Sequence, residues 1–577
     1  MRRPGEDRCW RHRRMRRLLL AALAAALVAP ASAQAADPTL PLAEVRPGMQ
    51  CTGLSVVRGV EISRFDVEVL DVIDSGRAGA ARIAVRVSGP AVDRTGIGPG
   101  FSGSPILCTG ADGVARNIGA ISETIGEYGG LTALATPIES ILAQPSLPPA
   151  ATRSAIGARS LAGPLTISGL RPALGRAFAR AARRAGRTLI ASPAPAGTTA
   201  AFAPQPLVPG SSVSVGMTTG DIVLGAVGTV AYADGANVWI FGHEMDGVGR
   251  RALFLQDAYI HTVVNNPVAA PEIATYKLAS PGNDLGTITS DGPNGVVGLL
   301  GALPPSFPLR VTAKDLDTGR VRSAVTQVVD EGDVGQPAGG SVLSIAAAAA
   351  VAEAAESILD GAPARQTGEL CVKVSVRELG KPLRVCNAYA VDGTSANALA
   401  GPAASDVASA VAVLESYRFA TLHPTAMEVA LRVRRGLRQA FITKAGAPRV
   451  ARRGSTINVR LALRHTGSGR RSTRTVRMLV PLDAPTGRRA LRLIGTPADA
   501  GSNPSQEDGG GLSLVFEGED DDGQNGGPQS LAEVRATFLD LGRYDGVVAR
   551  LGGEERPLLR DPRLRISGEA RVQLRIR

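Results

Sequence analysis

Apolar and polar residues alternate with a period of two in several stretches spread along this chain. The alternation is clearest at 65–69, 83–87, 213–217, 457–463 and 572–576. Successive side chains of a strand point to opposite faces of a sheet, so this period predicts half-buried β-strands. The 68 Gly and 39 Pro favour many short strands joined by turns. With 577 residues, we expect a mainly β protein with some α-helix, divided into about three domains.

Two kinds of stretch interrupt this pattern and suggest where the chain divides. Residues 170–185 are rich in Arg and Ala and helical in pattern, and the Pro-, Ala- and Gly-rich stretch 192–210 favours a connector. Residues 344–359 and 404–417 predict two further helices, on either side of a hairpin. The predicted order is a signal peptide (1–35), a β domain (40–145), a helix and connector (146–210), a second β domain (211–340), a helix–hairpin–helix segment (341–440) and a β-sandwich-like domain (441–577).

The N-terminus has the pattern of an export signal. A basic stretch at 2–17 precedes an apolar run at 18–29, and Ala31-Ser32-Ala33 offers a small-residue cleavage site. The apolar run is too short for a permanent membrane span, although an uncleaved anchor is the alternative. We expect a secreted or extracytoplasmic protein with no transmembrane span after signal removal.

The charge of the mature chain is modest. Removing residues 1–35 takes away eight Arg, one Glu and one Asp, which lowers the formal net charge from +12 to +6. The remaining basic residues are spread along the chain, which argues against nucleic-acid binding. The acidic segment 517–527 lacks the Gly and Glu spacing of a calcium loop, so a solvated loop is favoured there. We predict no metal site and no cofactor.

Four cysteines remain outside the signal, and an even number in an exported chain favours disulfides. We pair Cys51 with Cys108, and Cys371 with Cys386 across a hairpin that turns near Gly380. Free buried thiols are the alternative. Neither pair has the spacing of a zinc site.

The segment Gly98-Pro99-Gly100-Phe101-Ser102-Gly103-Ser104-Pro105 is the strongest candidate for catalytic chemistry. Glycines beside a serine let the backbone aim N–H groups at a developing oxyanion. In a chymotrypsin-like barrel these donors belong to the serine and to the residue two positions before it, here Ser102 and Gly100. We predict Ser102 as a nucleophile. A Gly-Ser turn without chemistry is the alternative.

A nucleophilic serine needs a base, and histidine is the usual one. Outside the signal the chain has His243, His261, His423 and His465. His243 ends the apolar strand pattern 238–242 and enters a Gly-rich turn, where an imidazole can face a site. His261 lies within a strand pattern, which favours a packed or surface histidine. We choose His243 as the base, with a histidine that merely caps a turn as the alternative.

Several short motifs follow one another between residues 46 and 142. They are Arg46-Pro47-Gly48-Met49, Thr52-Gly53, Phe65-Asp66-Val67-Glu68-Val69-Leu70, Ser88-Gly89-Pro90, Thr95-Gly96, Gly100-Phe101-Ser102-Gly103-Ser104-Pro105, Ile118-Gly119-Ala120 and Thr136-Pro137-Ile138-Glu139. This ordered series resembles the SpoIVB peptidase domain, a family of exported serine peptidases with a chymotrypsin-like fold. Residues 208–262, with Phe241-Gly242-His243, resemble the longer bacterial members of that family. The resemblance implies a pair of chymotrypsin-like β-barrels, with Ser102 as nucleophile and His243 as catalytic histidine.

Three features depart from the family pattern. His243 follows the serine, whereas in the sporulation enzyme of the family the histidine precedes it; a permuted pair of barrels can still assemble a triad, because a triad is defined by geometry. Glu244 stands where a proline commonly follows the histidine. The acidic member has no direct match. Asp93 is the nearest choice, and Asp221 or Asp246 could substitute.

The sequence thus predicts a serine endopeptidase that cleaves one or a few protein substrates, or itself. The alternative is a scaffold or binding protein of the cell envelope that keeps the fold but has lost efficient catalysis. The missing acid and the appended C-terminal domain favour this alternative. In either case we expect the C-terminal domain to recruit an envelope partner, by analogy with other sandwich domains.

Overall fold

The computed structural model describes residues 37–577 except 75, 77–78, 111, 126–129, 149–163, 187, 193–201, 266–274, 332–340, 360–362, 393–398, 496–526, 543–545, 553 and 562–563. The predicted signal peptide and nearly all of the acidic segment 517–527 lie outside the described residues. The described part is mainly β-strand, with five α-helices. None of these helices is long and apolar enough to span a membrane.

The first β unit is a closed barrel of six strands in the order β1-β2-β3-β6-β5-β4. Its interior is built by the predicted alternation, since Phe65, Val67 and Val69 are all buried on one face of β2. The disulfide Cys51–Cys108 joins β1 to β4, where these two strands close the barrel, and the predicted pairing is confirmed. The strands are β1 (Gln50–Arg58), β2 (Glu61–Ile73), β3 (Arg82–Ser88), β4 (Pro105–Thr109), β5 (Ala115–Thr124) and β6 (Thr132–Pro137), and helix α1 (Ile138–Leu142) follows them.

The second β unit also contains a closed ring of six strands, in the order β9-β11-β12-β15-β14-β13. Two of its antiparallel strands, β13 and β14, are long and pair along most of their length. The strands are β9 (Ser212–Gly216), β11 (Val223–Asp234), β12 (Asn237–Ile240), β13 (Gly249–Asn265), β14 (Thr275–Gly292) and β15 (Gly295–Leu300).

The predicted connector at 146–210 is in part a piece of this second unit. Strand β7 (Leu165–Ser168) pairs with β11, strand β8 (Leu189–Ala191) pairs with β7, and helix α2 (Pro172–Arg184) lies between them in the chain. The reason is apolar burial, because Leu174 and Phe178 of α2 are fully buried in the main core. The helix prediction was right, and the connector prediction was wrong for these strands.

The third unit is a six-stranded sheet in the order β10-β17-β16-β20-β18-β19, which shares an apolar core with two Ala-rich helices. Strands β16 and β17 were predicted to belong to the second β domain, but β16 pairs with β20 and its buried face packs on helix α3. The predicted hairpin and its disulfide Cys371–Cys386 are confirmed across β18 and β19. The elements are β10 (Thr218–Gly220), β16 (Ser306–Asp315), β17 (Val321–Val329), α3 (Val342–Ile358), β18 (Arg365–Val376), β19 (Leu383–Asp392), α4 (Ala400–Glu415) and β20 (Pro424–Arg435).

The C-terminal unit consists of two sheets that share one apolar core, as the sequence predicted for this end of the chain. Helix α5 (Leu531–Asp540) leaves this unit and buries Val534 and Phe538 in the core of the third unit. The strands are β21 (Gln439–Gly446), β22 (Val450–Ala451), β23 (Thr456–His465), β24 (Arg471–Leu479), β25 (Gly487–Gly495), β26 (Gly546–Leu551), β27 (Glu554–Arg560), β28 (Arg565–Ser567) and β29 (Glu569–Ile576).

Candidate functional site

Ser102 and His243 line the same cleft, which has a volume of about 540 Å³. The cleft is lined by the loop that precedes β4 in the first barrel and by the turn that follows β12 in the second. The fold therefore brings the predicted nucleophile and the predicted base to one site. No hydrogen bond joins the Ser102 hydroxyl to the His243 ring within the described part of the chain.

Two backbone N–H groups in the loop around Ser102 have no hydrogen-bond partner in the described part of the chain, because the peptide carbonyls opposite them are already bonded. The carbonyl of Pro99 accepts from the N–H of Lys277 at 2.9 Å, and that of Phe101 accepts from Ser104 at 2.9 Å. In a trans peptide the C=O and the following N–H point in opposite directions. The N–H groups of Gly100 and Ser102 therefore point away from these partners, and neither has a hydrogen-bond acceptor among the described residues. Two such donors can hold an oxyanion.

Strand β11 of the second barrel fixes this loop. Thr229 donates its backbone N–H to the carbonyl of Ser102 at 2.8 Å and its hydroxyl to the carbonyl of Gly100 at 2.9 Å. The approach is so close that Gly103, with φ of +92°, has no space for a side chain. An added Cβ would lie 1.9 Å from the Thr229 carbonyl oxygen and 2.7 Å from the Phe241 nitrogen. The loop of residues 98–105, here called the nucleophile loop after its predicted role, thus packs against the other barrel.

His243 follows a strained turn. Phe241 has φ of 71° and is the only non-glycine residue with positive φ in the described ranges. Such strain is kept only where the surroundings impose it, and it clusters at functional sites. The Thr136 hydroxyl donates to the carbonyl of Gly242 at 2.7 Å and so ties this turn to the first barrel.

The His243 ring is held in the tautomer that a general base requires. Its Nδ1 lies 2.6 Å from the carbonyl oxygen of Glu244. A carbonyl only accepts, so Nδ1 carries the proton and Nε2 keeps the lone pair of the neutral ring. Burial lowers the pKa of His243 below its usual value, although the Glu244 carbonyl and nearby carboxylates oppose this. The neutral form is therefore favoured near pH 7.

A buried carboxylate holds the rest of this turn. Asp291 of β14 accepts the backbone N–H groups of Met245, Asp246 and Gly247 at 2.8, 2.9 and 3.0 Å. Burial and the neighbouring Asp246 carboxyl raise the pKa of Asp291. The Asp246 carboxylate in turn accepts from Arg251 Nη1 at 2.8 and 2.9 Å, with both side chains almost fully buried.

The structure does not bring Asp93 to His243. Asp93 lies on an exposed turn outside the cleft, and its Oδ1 accepts the backbone N–H of Gly89 at 2.7 Å. The two alternatives are also engaged elsewhere, since Asp221 accepts the N–H of Val325 and Asp246 pairs with Arg251. The Nδ1 atom that a triad carboxylate would contact is occupied by the Glu244 carbonyl instead. A local turn preference outweighed the predicted role, because an Asp side chain readily accepts a nearby backbone N–H.

No family model matches the chain, and no curated protein or solved structure matches it either. The chemistry of the site has to be argued from its own residues. In the described part of the chain, no group of three or more His, Cys, Asp or Glu is arranged to hold a metal ion.

Sequence reasoning missed Lys277, which lies beneath the nucleophile loop. Its side chain is 2% exposed, and its Nζ donates to Ser55 Oγ at 2.7 Å and Thr229 Oγ1 at 3.2 Å. The ammonium also lies 4.5 Å from the centre of the Phe101 ring. Burial lowers the pKa of Lys277 to about 7. Strand β14 contains many other polar residues, so no pattern in the sequence marked Lys277 as a buried group.

The other three histidines lie outside the cleft. His423 contacts the Glu378 carboxylate at 2.7 Å, and His465 and His261 each contact a serine hydroxyl at 2.8 Å. None of the three lines the cleft that contains Ser102. His243 is therefore the one described histidine with access to the predicted nucleophile.

Proposed function

We propose that this protein is an exported serine endopeptidase of the SpoIVB peptidase type, which cleaves a restricted protein substrate or itself. The observation that carries the proposal is the convergence of Ser102, the free amides of Gly100 and Ser102, and His243 on one cleft. Such convergence is what acyl transfer needs: a nucleophile, a base and two oxyanion donors.

The reaction follows from these positions. Ser102 Oγ attacks the carbonyl carbon of the scissile peptide while Nε2 of His243 accepts the hydroxyl proton. The N–H groups of Gly100 and Ser102 stabilise the oxygen of the tetrahedral intermediate. The imidazolium then gives its proton to the leaving amine, and the acyl group stays on Ser102. Water, activated by the same ring, hydrolyses the acyl-enzyme and restores the serine.

The two barrels support a chymotrypsin-like arrangement with the halves in reversed order. The serine belongs to the barrel that comes first in the chain, and the histidine belongs to the second. A cleft between two barrels can be assembled from either order, since only the relative positions of the reacting groups matter.

The Glu244 carbonyl performs one of the two roles of a triad acid. It keeps the proton on Nδ1, so the base has the right tautomer, but it brings no full negative charge to stabilise the imidazolium. We therefore expect slower turnover than a complete Ser-His-Asp triad would give. An activated serine should still be detectable.

The test is fluorophosphonate labelling of residues 36–577, beside Ser102→Ala and His243→Ala variants. We expect labelling of the wild type and its loss in both variants. Ser306→Ala and His423→Ala are matched controls outside the cleft, and they should label like the wild type. Labelling that persists in Ser102→Ala would overturn the assignment of the nucleophile.

A catalytically impaired scaffold or binding protein of the cell envelope is the second candidate. It is favoured by a specific observation: among the described residues, the His243 ring makes no hydrogen bond or ion pair with a carboxylate and no hydrogen bond with Ser102. A folded wild type that stays unlabelled, also after limited proteolysis to release a zymogen, would support this function. Its C-terminal unit would then be the first place to search for an envelope partner.

A further inference from the structure

Arginine side chains line a small cavity where the six-stranded sheet of the third unit meets the C-terminal unit. The cavity has a volume of about 60 Å³ and lies far along the chain from the cleft residues. Its arginines come from the end of β20, the loop after it, the end of β27 and the start of β28: Arg432, Arg434, Arg438, Arg560 and Arg565.

Local structure explains why these side chains converge. Arg432 and Arg434 alternate with the buried Leu431 and Val433, so β20 turns both arginines to the face opposite the helices. Strand β28 pairs in parallel with β21, and the N–H of Arg565 donates to the carbonyl of Arg438 at 2.9 Å. The cluster is therefore assembled from two units of the fold.

The cavity has more positive than negative groups. Its two carboxylates are Glu369, which lies 3.5 Å from Arg432, and Asp561, which lies 3.5 Å from Arg474 outside the cavity. Against the five arginines this leaves an excess of three positive charges among the described residues that line the cavity. Like charges held close together repel one another, which favours the entry of an anion.

Three of these arginines have unused hydrogen-bonding capacity. In the described part of the chain, the side chains of Arg434, Arg438 and Arg560 make no hydrogen bond or ion pair. Each guanidinium carries five N–H donors in a planar fork that matches an oxyanion with two oxygens. Several forks pointing into one space can together bind an anion that has three or four oxygens.

We propose that this cavity is a binding site for a phosphate group. The space equals roughly two water volumes at about 30 Å³ each, which suits one small ion. A phosphate monoester or inorganic phosphate carries about two negative charges at neutral pH and more acceptor oxygens than a carboxylate. The ligand would bridge the third unit and the C-terminal unit. This site does not depend on the chemistry of the cleft.

The experiment measures inorganic phosphate binding to residues 36–577 by isothermal titration calorimetry, at constant ionic strength. We expect the Arg434→Gln/Arg438→Gln double variant to bind phosphate at least about tenfold more weakly, because it loses two positive charges and their charge-assisted hydrogen bonds. The phosphate affinity of Arg434→Lys/Arg438→Lys should lie between those of the wild type and the glutamine variant, since lysine keeps the charge but lacks the planar fork of donors. Arg460→Gln, at an exposed arginine of β23 outside the cavity, is the matched control and should bind like the wild type.

Two further arms identify the ligand and its source. Acetate should compete poorly with phosphate if several forks act together. Vesicles of phosphatidylcholine with phosphatidic acid should bind the wild type in preference to the double variant if the phosphate belongs to a lipid headgroup. Binding of inorganic phosphate alone would indicate a soluble ligand. Equal phosphate affinity of the wild type and the double variant, or no measurable phosphate binding by the wild type, would overturn the proposal.

Discussion

The two barrels have the same number of strands but differently built interiors. In the first barrel the buried polar residues are uncharged, and they include Ser55, Asn117 and Thr136. In the second barrel and its turns the buried polar residues include five ionisable ones, namely Asp246, Arg251, Asp257, Lys277 and Asp291. An apolar interior with a disulfide is tolerant of pH, whereas buried ions contribute stability only in particular protonation states. The first barrel therefore presents Ser102 on a frame that tolerates changes of pH, and the pH-sensitive buried groups belong to the second.

Breaking a buried ion pair should cost far more than breaking a surface pair. Arg251→Met leaves the Asp246 carboxylate buried beside Asp291 without its partner, so we expect a loss of about 3–5 kcal/mol in the free energy of unfolding. The Nε of Arg251 also lies 3.2 Å from Glu331, as a charge pair rather than an aligned hydrogen bond. Arg86→Met removes an exposed pair with Glu68 on the first barrel and should cost less than about 1 kcal/mol. Urea unfolding measures both, and equal losses would contradict the comparison.

The contact between the barrels should depend on glycine at one position. Gly103→Ala places a Cβ 1.9 Å from the Thr229 carbonyl oxygen, so the nucleophile loop has to move away from β11. We expect a loss of about 3 kcal/mol, from overpacking and from the positive φ together, and slower labelling of Ser102.

Gly113→Ala is the matched control for this loss. It has a positive φ of +77° but nothing within 4 Å of an added Cβ, so it should cost only about 1 kcal/mol and leave labelling unchanged. If both variants lose the same free energy, the close approach of the two barrels is not what fixes the loop.

The pH dependence of stability should separate the two interiors. Burial lowers the pKa of Lys277 to about 7 from 10.5, and its hydrogen-bond partners Ser55 and Thr229 and the adjacent Phe101 ring are uncharged. Between these pH values the unfolded chain binds a proton that the folded chain has released. The burial penalty of Lys277 is thus full below pH 7 and is relieved as the pH rises.

The free energy of unfolding of the wild type should therefore rise relative to that of Lys277→Met, by up to about 1.4 kcal/mol per pH unit above pH 7. Urea unfolding of both proteins at a series of pH values tests this. If the unfolding free energies of the two proteins change with pH in parallel, Lys277 is not a titrating group of the interior.

What the sequence could predict follows the same division between the barrels. Strands β2 and β3 of the first barrel were predictable because their interior residues are all apolar and the period of two stays visible. In β13 and β14 the buried faces include Gln256, Asp257 and Lys277, which interrupt that period, so their lengths of 17 and 18 residues left no clear pattern. The glycine-rich surroundings of Ser102 and His243 singled out two residues that line the same cleft. The partner of Nδ1 could not be predicted, because it is a backbone carbonyl group, which every residue has.

The smallest expected effect is on the pH dependence of Ser102 labelling, which tests directly whether the Glu244 carbonyl is the partner of Nδ1. If Glu244 alone holds Nδ1, burial dominates and the pKa of His243 stays below 6.5. The rate of Ser102 labelling should then rise with pH through a midpoint below 6.5 and reach a plateau, because only the neutral ring can accept the hydroxyl proton. A carboxylate that reaches the ring in solution would stabilise the imidazolium and raise this midpoint. Labelling rates of the wild type between pH 4 and pH 8 give the midpoint, with Asp93→Asn as the comparison. If the wild-type midpoint lies above 6.5 and falls in Asp93→Asn, Asp93 acts on His243 after all, and the second barrel does not hold its base without help from the first.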